Sequence, residues 1–186
     1  TIIHLRTYVA LHVAATTGSL TLLSIFSETK LLEQATPVLG QFLSEKLSNL
    51  RYLALEAMTK LANLSSDALE MVSHHQLTVI AALQDPDISI RRRALDLLYG
   101  MCDRRTATAI VSELLKYLHN LNVSVSADFA IREELTLKIA ILAEKYASIR
   151  YKWYVDVMLQ FVTMAGDTMS DSIWYRAIKV ITNHED

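Results

Sequence analysis

Cysteine, proline and glycine are almost missing from this chain of 186 residues, which has one, two and four of them. The single thiol, Cys102, has no intrachain partner for a disulfide and agrees with a reducing compartment, most simply the cytoplasm. Scarce proline and glycine disfavour both a turn-rich all-β chain and a disordered one, and suit packed helices. Long hydrophobic runs are also lacking. The chain is 52% hydrophobic, but its apolar residues are scattered at helical spacing and never reach the run of about 18 that a membrane span needs. No transmembrane segment is therefore expected. Nor is there an excess of charge of one sign. Eighteen Lys and Arg stand against 20 Asp and Glu, a formal charge of −2. That gives no general attraction to nucleic acid or anionic lipid. A Gly-rich phosphate loop, a nucleophile elbow and a recognisable Ser/His/Asp set are all absent. Neither catalysis nor a cofactor is expected.

What the chain does contain is a repeat. Leu50-Arg51-Tyr52-Leu53-Ala54, Ile90-Arg91-Arg92-Arg93-Ala94, Ile131-Arg132-Glu133-Glu134-Leu135 and Ile173-Trp174-Tyr175-Arg176-Ala177 open similarly, at steps of 40, 41 and 42 residues. Apolar residues recur four and eight places on: Leu50/Ala54/Met58, Ile90/Ala94/Leu98, Ile131/Leu135/Ile139 and Ile173/Ala177/Ile181. This spacing puts one apolar seam on each of four equivalent helices. A period of this length predicts an all-α, right-handed superhelical solenoid of HEAT or armadillo-like helix pairs, a design that builds extended binding surfaces.

Each repeat should hold an outer helix A, a turn and an inner helix B. The A helices are expected at roughly 31–46, 67–84, 106–121 and 152–166, and the B helices at roughly 48–63, 88–102, 129–146 and 171–183. Residues 1–186 then form a single segment, with repeats near 31–64, 65–103, 106–146 and 152–186 after an irregular repeat at 1–30. That first repeat would hold helices near 2–15 and 20–29. Asp85-Pro86-Asp87 marks a break, and Ser65-Ser66-Asp67 and Ser170-Asp171 are N-cap clusters. Ser124-Val125-Ser126, in a longer connection, could be read as loop or strand. Thr1 is not an initiator Met, and the polar outer repeats that close a solenoid are not visible, so an internal piece of a longer solenoid is expected.

Three groups of side chains have both a structural and a functional reading. Arg51, Arg91 and Arg132 hold one repeat position, filled by Trp174 in the fourth. They are expected to pair with turn carboxylates such as Asp85 or Asp87, or with carbonyls of a neighbouring repeat, the alternative being a row of anion-binding positions. Arg91, Arg92, Arg93, Arg104 and Arg105 gather five cations within 15 positions, the first three at a helix N-terminus. They form either a face neutralised by Asp85, Asp87, Asp96 and Asp103, or a contact for a phosphoinositide or acidic partner. Trp153, Tyr154, Trp174 and Tyr175 either pack repeats together or anchor a partner. His74-His75 point about 100° apart on a helix and do not suit a metal, and Cys102 falls on the apolar seam as a buried thiol.

Asn49-Leu50-Arg51-Tyr52-Leu53-Ala54-Leu55-Glu56 resembles the repeat opening of the adaptin large chains of clathrin adaptor complexes. The run Arg93 to Asp103, the run Ile131-Arg132-Glu133-Glu134 with Lys138 to Tyr146, Trp153-Tyr154-Val155-Asp156 and Ile173-Trp174-Tyr175-Arg176 resemble the alpha type of that family. The likeness covers about residues 39–186, in order and at fitting spacing. It implies a trunk segment of a plasma-membrane adaptor, cytoplasmic and peripheral on the membrane at clathrin-coated pits. The implied partners are a beta-type large chain, a medium chain and a small chain. The whole complex would engage clathrin, accessory proteins and phosphoinositide membrane in cargo selection and endocytosis. The family's main lipid-binding patch and its appendage lie outside the matched region, so no lipid or cargo residue is carried over. The alternatives are a gamma-type adaptin, the large chain of another vesicle coat, or an unrelated HEAT scaffold such as a nuclear transport receptor.

Overall fold

The computed structural model describes residues 29–123, 129–149, 151–165 and 171–182. The expected helices at 2–15 and 20–29, the Ser124–Ser126 connection and Ser170 lie outside these residues, apart from the start of the first described helix at Thr29. All the regular elements among the described residues are helical, with no strand. They fall into two compact units that divide between Met101 and Cys102.

The first unit contains α1 (Thr29–Leu43), α2 (Ser48–Ala62), α3 (Ser66–Ser73), α4 (Gln76–Ala82) and α5 (Ile88–Met101). The expected seam does pack. Ala54 and Met58 on α2, and Ile90, Ala94 and Leu98 on α5, are buried, while Leu50 is half-buried. Helix α2 lies between α1 and α5, and α3 and α4 pack against both α1 and α5. Leu32, Leu39 and Leu43 on α1, with Val72 and Val79 on α3 and α4, complete this core. Local chemistry sets the helix ends. The Ser65 hydroxyl accepts from the Ala68 N–H at 3.1 Å, starting α3. Asp85 accepts from the Asp87 N–H at 2.9 Å and Asp87 from the Ser89 N–H at 2.8 Å, so the Asp-Pro-Asp turn launches α5.

One helix differs from expectation. The span read as 67–84 is broken at His74-His75 into α3 and α4. Apolar periodicity continues through the break, so the sequence pattern does not reveal it.

The second unit contains α6 (Ala107–Val123), α7 (Phe129–Lys145), a 3₁₀ turn (Ala147–Ile149), α8 (Tyr151–Ala165) and α9 (Asp171–Thr182). Helix α8 packs on both α6 and α7, and α9 meets α7. Ile131, Leu135 and Ile139 of the seam, Ile110, Leu114 and Leu118 of α6 and Phe161 of α8 are all buried in this unit. Ile173 is half-buried, and the side chains of Ala177 and Ile181 lie outside the description.

Candidate functional site: helix-pair surfaces

The repeated arginines reach different partners. Arg51 on α2 binds Asp85 through Nε at 2.7 Å and through a second nitrogen at 3.3 Å. Its remaining fork donates to the carbonyls of Glu45 and Lys46, both at 2.8 Å. One guanidinium thus fastens the α1–α2 turn to the α4–α5 turn, 34 residues further along the chain. Arg132 on α7 donates to the Leu121 carbonyl in the last turn of α6 at 3.1 Å. That carbonyl belongs to a helix end, where backbone acceptors lack intrahelical donors.

The basic cluster is divided by the units: Arg91, Arg92 and Arg93 belong to the first, Arg104 and Arg105 to the second. Arg93 is drawn to an aromatic partner. Its Nε and terminal nitrogen donate to the Tyr52 hydroxyl at 3.1 and 2.9 Å, and its guanidinium carbon stands 5.3 Å from the ring centre. The hydroxyl bond, with Glu56 and Asp96 nearby, holds Arg93 still more firmly in its charged form against the opposing effect of burial. Arg92 and Arg104 are exposed. Arg105 pairs with Asp103 at 3.3 Å in the open, an arrangement of little energetic weight.

Asp103 does more as a cap. It accepts from the Arg105 N–H at 2.8 Å, the Thr106 N–H at 2.7 Å and the Thr106 hydroxyl at 2.9 Å, while its own N–H donates to that hydroxyl at 3.0 Å. Burial pushes its carboxyl up, but the bonds from Thr106 and Arg105 outweigh this and leave it below the ordinary aspartate value. The Asp-x-x-Thr spacing was the available signal, but a charge-based reading treats Asp103 only as a counterion. The Tyr52–Arg93 pair was similarly missed, although its 41-residue separation is one repeat period.

The aromatics take opposite positions. Tyr154 is 1% exposed, and Trp153 is half-buried. Trp174 is 39% and Tyr175 76% exposed on α9. Tyr154 also lines a small groove with Leu137, Ala140, Ile141, Met158 and Ile173, and its space of about 20 Å³ is scarcely more than one water occupies. That is far below the size of a small-molecule site.

Cys102 is buried, and the hydroxyl of buried Tyr146 donates to its carbonyl. Burial pushes the thiol up to about 12, so it stays protonated and unreactive at neutral pH. Among the described residues, no three His, Cys, Asp or Glu side chains converge as a metal site would require, and no helix is long and apolar enough to cross a membrane.

The Adaptin N terminal region family model matches residues 5–186. The chain belongs to the adaptin family. Within it, the chain is 57% identical over 156 residues to the AP-2 complex subunit alpha-2 of Dictyostelium discoideum, covering 84% of this chain and 15% of that relative. It is 50% identical over 160 residues to the AP-2 complex subunit alpha-1 of Arabidopsis thaliana, covering 86% and 15%. The AP-1 complex subunit gamma of Dictyostelium discoideum is 34% identical over 163 residues, covering 88% and 17%. These values place the chain with the alpha-adaptins. The adaptin segment spans about 15% of the length of the alpha relatives quoted. A crystal structure of an engineered protein matches its fold with a TM-score of 0.57 at 16% identity, over 83% of this chain and 66% of that one. That likeness concerns fold alone. In this adaptin, the alpha-like run from Arg93 to Met101 lies on α5 and the run Lys138 to Lys145 on α7.

Proposed function

We propose that this chain is a trunk segment of the large alpha subunit of the plasma-membrane clathrin adaptor. The carrying observation is the difference in identity: 57% and 50% to AP-2 alpha subunits, against 34% to an AP-1 gamma subunit. The role is structural and non-enzymatic. Paired helices with closed apolar cores supply a surface on which a beta-type large chain, a medium chain and a small chain assemble. Clathrin, accessory proteins and phosphoinositide membrane are engaged through the whole complex, cytoplasmic and peripheral on the plasma membrane at coated pits. The 40-, 41- and 42-residue spacing of the repeat openings supports one continuous run of repeats through the chain.

On this reading the exposed Arg92 and Arg104 are candidates for an acidic partner, and Trp174 and Tyr175 for an apolar one. Arg91, Arg93 and Arg105 would support the former contact, and Trp153 and Tyr154 the packing beneath the latter. Imaging of the fluorescently tagged full-length protein tests the assignment. Clathrin-coated puncta at the cell surface are expected; accumulation on internal membranes would favour a gamma-type role, and nuclear-envelope staining a transport receptor.

A further inference from the structure

The break between α3 and α4 is a bend rather than a loop. The His75 N–H donates to the Val72 carbonyl at 3.0 Å, and the His75 carbonyl accepts from the Val79 N–H at 3.0 Å. His75 itself has φ −94° and ψ 11°, outside the helical well. On either side, Val72 and Val79 are fully buried. The imidazole fits a gap left by Gly40 on α1. A β-carbon at that glycine would lie 2.3 Å from Cε1 and 2.5 Å from Nδ1 of His75. The ring therefore occupies the place of the side chain that Gly40 lacks, so a β-carbon there would have to displace the imidazole.

We propose that the His75–Gly40 contact is a latch that holds the α3–α4 bend against α1, and that protonation of His75 releases it, opening residues 66–82 while the rest of the first unit stays folded. The ring is half-buried and lies against a backbone CH₂, a surface that solvates an imidazolium less well than water does. Burial, with a smaller contribution from His74, lowers the His75 pKa below its ordinary value of 6.5. The latched form thus favours the neutral ring. Its stabilisation is complete above the ordinary value and is lost as pH falls from there toward the lowered one.

Charged residues stand on the surrounding helices. Helix α1 carries Lys30 and Glu33, the nearer being seven residues from Gly40 and so about 10 Å along the axis. Helix α3 carries Asp67 and Glu70, and α4 carries none. On α2 stand Arg51, Glu56 and Lys60, and on α5 Arg91, Arg92, Arg93 and Asp96. His74, next in the chain, acts on His75 with the same sign as burial. The bend also belongs to two short helices, of eight and seven residues, which cannot persist alone once detached.

Amide hydrogen exchange on the full-length protein at about pH 7.5 and about pH 5.5, corrected for intrinsic exchange, tests the latch on either side of the imidazole range. Exchange across 66–82 should accelerate at the lower pH by up to about tenfold for each pKa unit between the open and latched forms. Amides of α2 and α5 should not follow. His75→Gln should abolish the pH response and His74→Gln should retain it. Gly40→Ala, which displaces the ring, should raise exchange in the same segment already at the higher pH. Should a variant unfold, the wild-type pattern alone decides. A flat response, or one spread evenly over 29–101, overturns the proposal, as does a response that survives in folded His75→Gln.

Discussion

Arg51 shows how one residue carries both a repeat and its neighbour. Its side chain is 17% exposed and that of Asp85 8%, so the bidentate pair is shielded from solvent while the same fork closes the Glu45 and Lys46 carbonyls. Removing one partner leaves the other poorly solvated. Asp85→Ala should lower stability by about 2 kcal/mol in chemical denaturation. Arg51→Lys should recover little of the loss in an Arg51→Ala protein, since a lysine cannot span all the acceptors. The two described glycines should respond oppositely to alanine. Nothing lies within 4 Å of a β-carbon at Gly100, in the last turn of α5, whereas Gly40 abuts His75. Gly100→Ala should therefore stabilise by about 0.5–1 kcal/mol through helix propensity, and Gly40→Ala should destabilise; paired thermal melts compare them. Cys102, buried and with a thiol pushed up to about 12, should resist alkylation at pH 8 in the native protein and react promptly in denaturant. At this scale the sequence was partly legible: Asp85 could be named as a partner of Arg51 because turn carboxylates and repeat arginines fall in register. The contact between Gly40 and His75 could not, because it depends on how closely two helices approach.

Helices were more legible than contacts. The B helices were expected to start near 48, 88, 129 and 171, and the two whose preceding residues are described start at Ser48 and Ile88. Strong apolar spacing and nearby turn residues make such starts visible. The second A helix was different: its apolar residues continue through His74-His75, so periodicity alone hides the bend between Ser73 and Gln76. The α6 start illustrates a cap with a pH signature. Asp103 has a depressed carboxyl, so its stabilisation is present above the ordinary aspartate range and is lost as pH falls through the lowered value. Asp103→Ala should cost about 1 kcal/mol at neutral pH. The deficit relative to wild type should shrink in acid, as titrated denaturation curves would reveal. In the helix interiors the cost is larger. Leu98 is fully buried in α5, and Leu98→Ala should cost about 3 kcal/mol.

For the whole molecule, architecture and function were legible by different routes. The 40-residue period and the shortage of proline and glycine indicate helix pairs on physical grounds alone. They do not distinguish a coat subunit from any other helical scaffold, because a surface has no catalytic motif to betray its partner. Words such as Ile131-Arg132-Glu133-Glu134 and Ile173-Trp174-Tyr175-Arg176 carried that distinction. The family match over residues 5–186 agrees with them. Individual partner contacts were not legible, since exposed residues such as Arg92 and Tyr175 obey no packing rule that names what meets them. The most direct measurement is affinity purification of the tagged full-length protein from its own cells, with copurifying chains quantified by mass spectrometry. The account predicts near-stoichiometric recovery of one beta-type large chain, one medium chain and one small chain of the plasma-membrane clathrin adaptor. Recovery instead of another coat's subunits, of nuclear transport cargo or of no stable partner would contradict it.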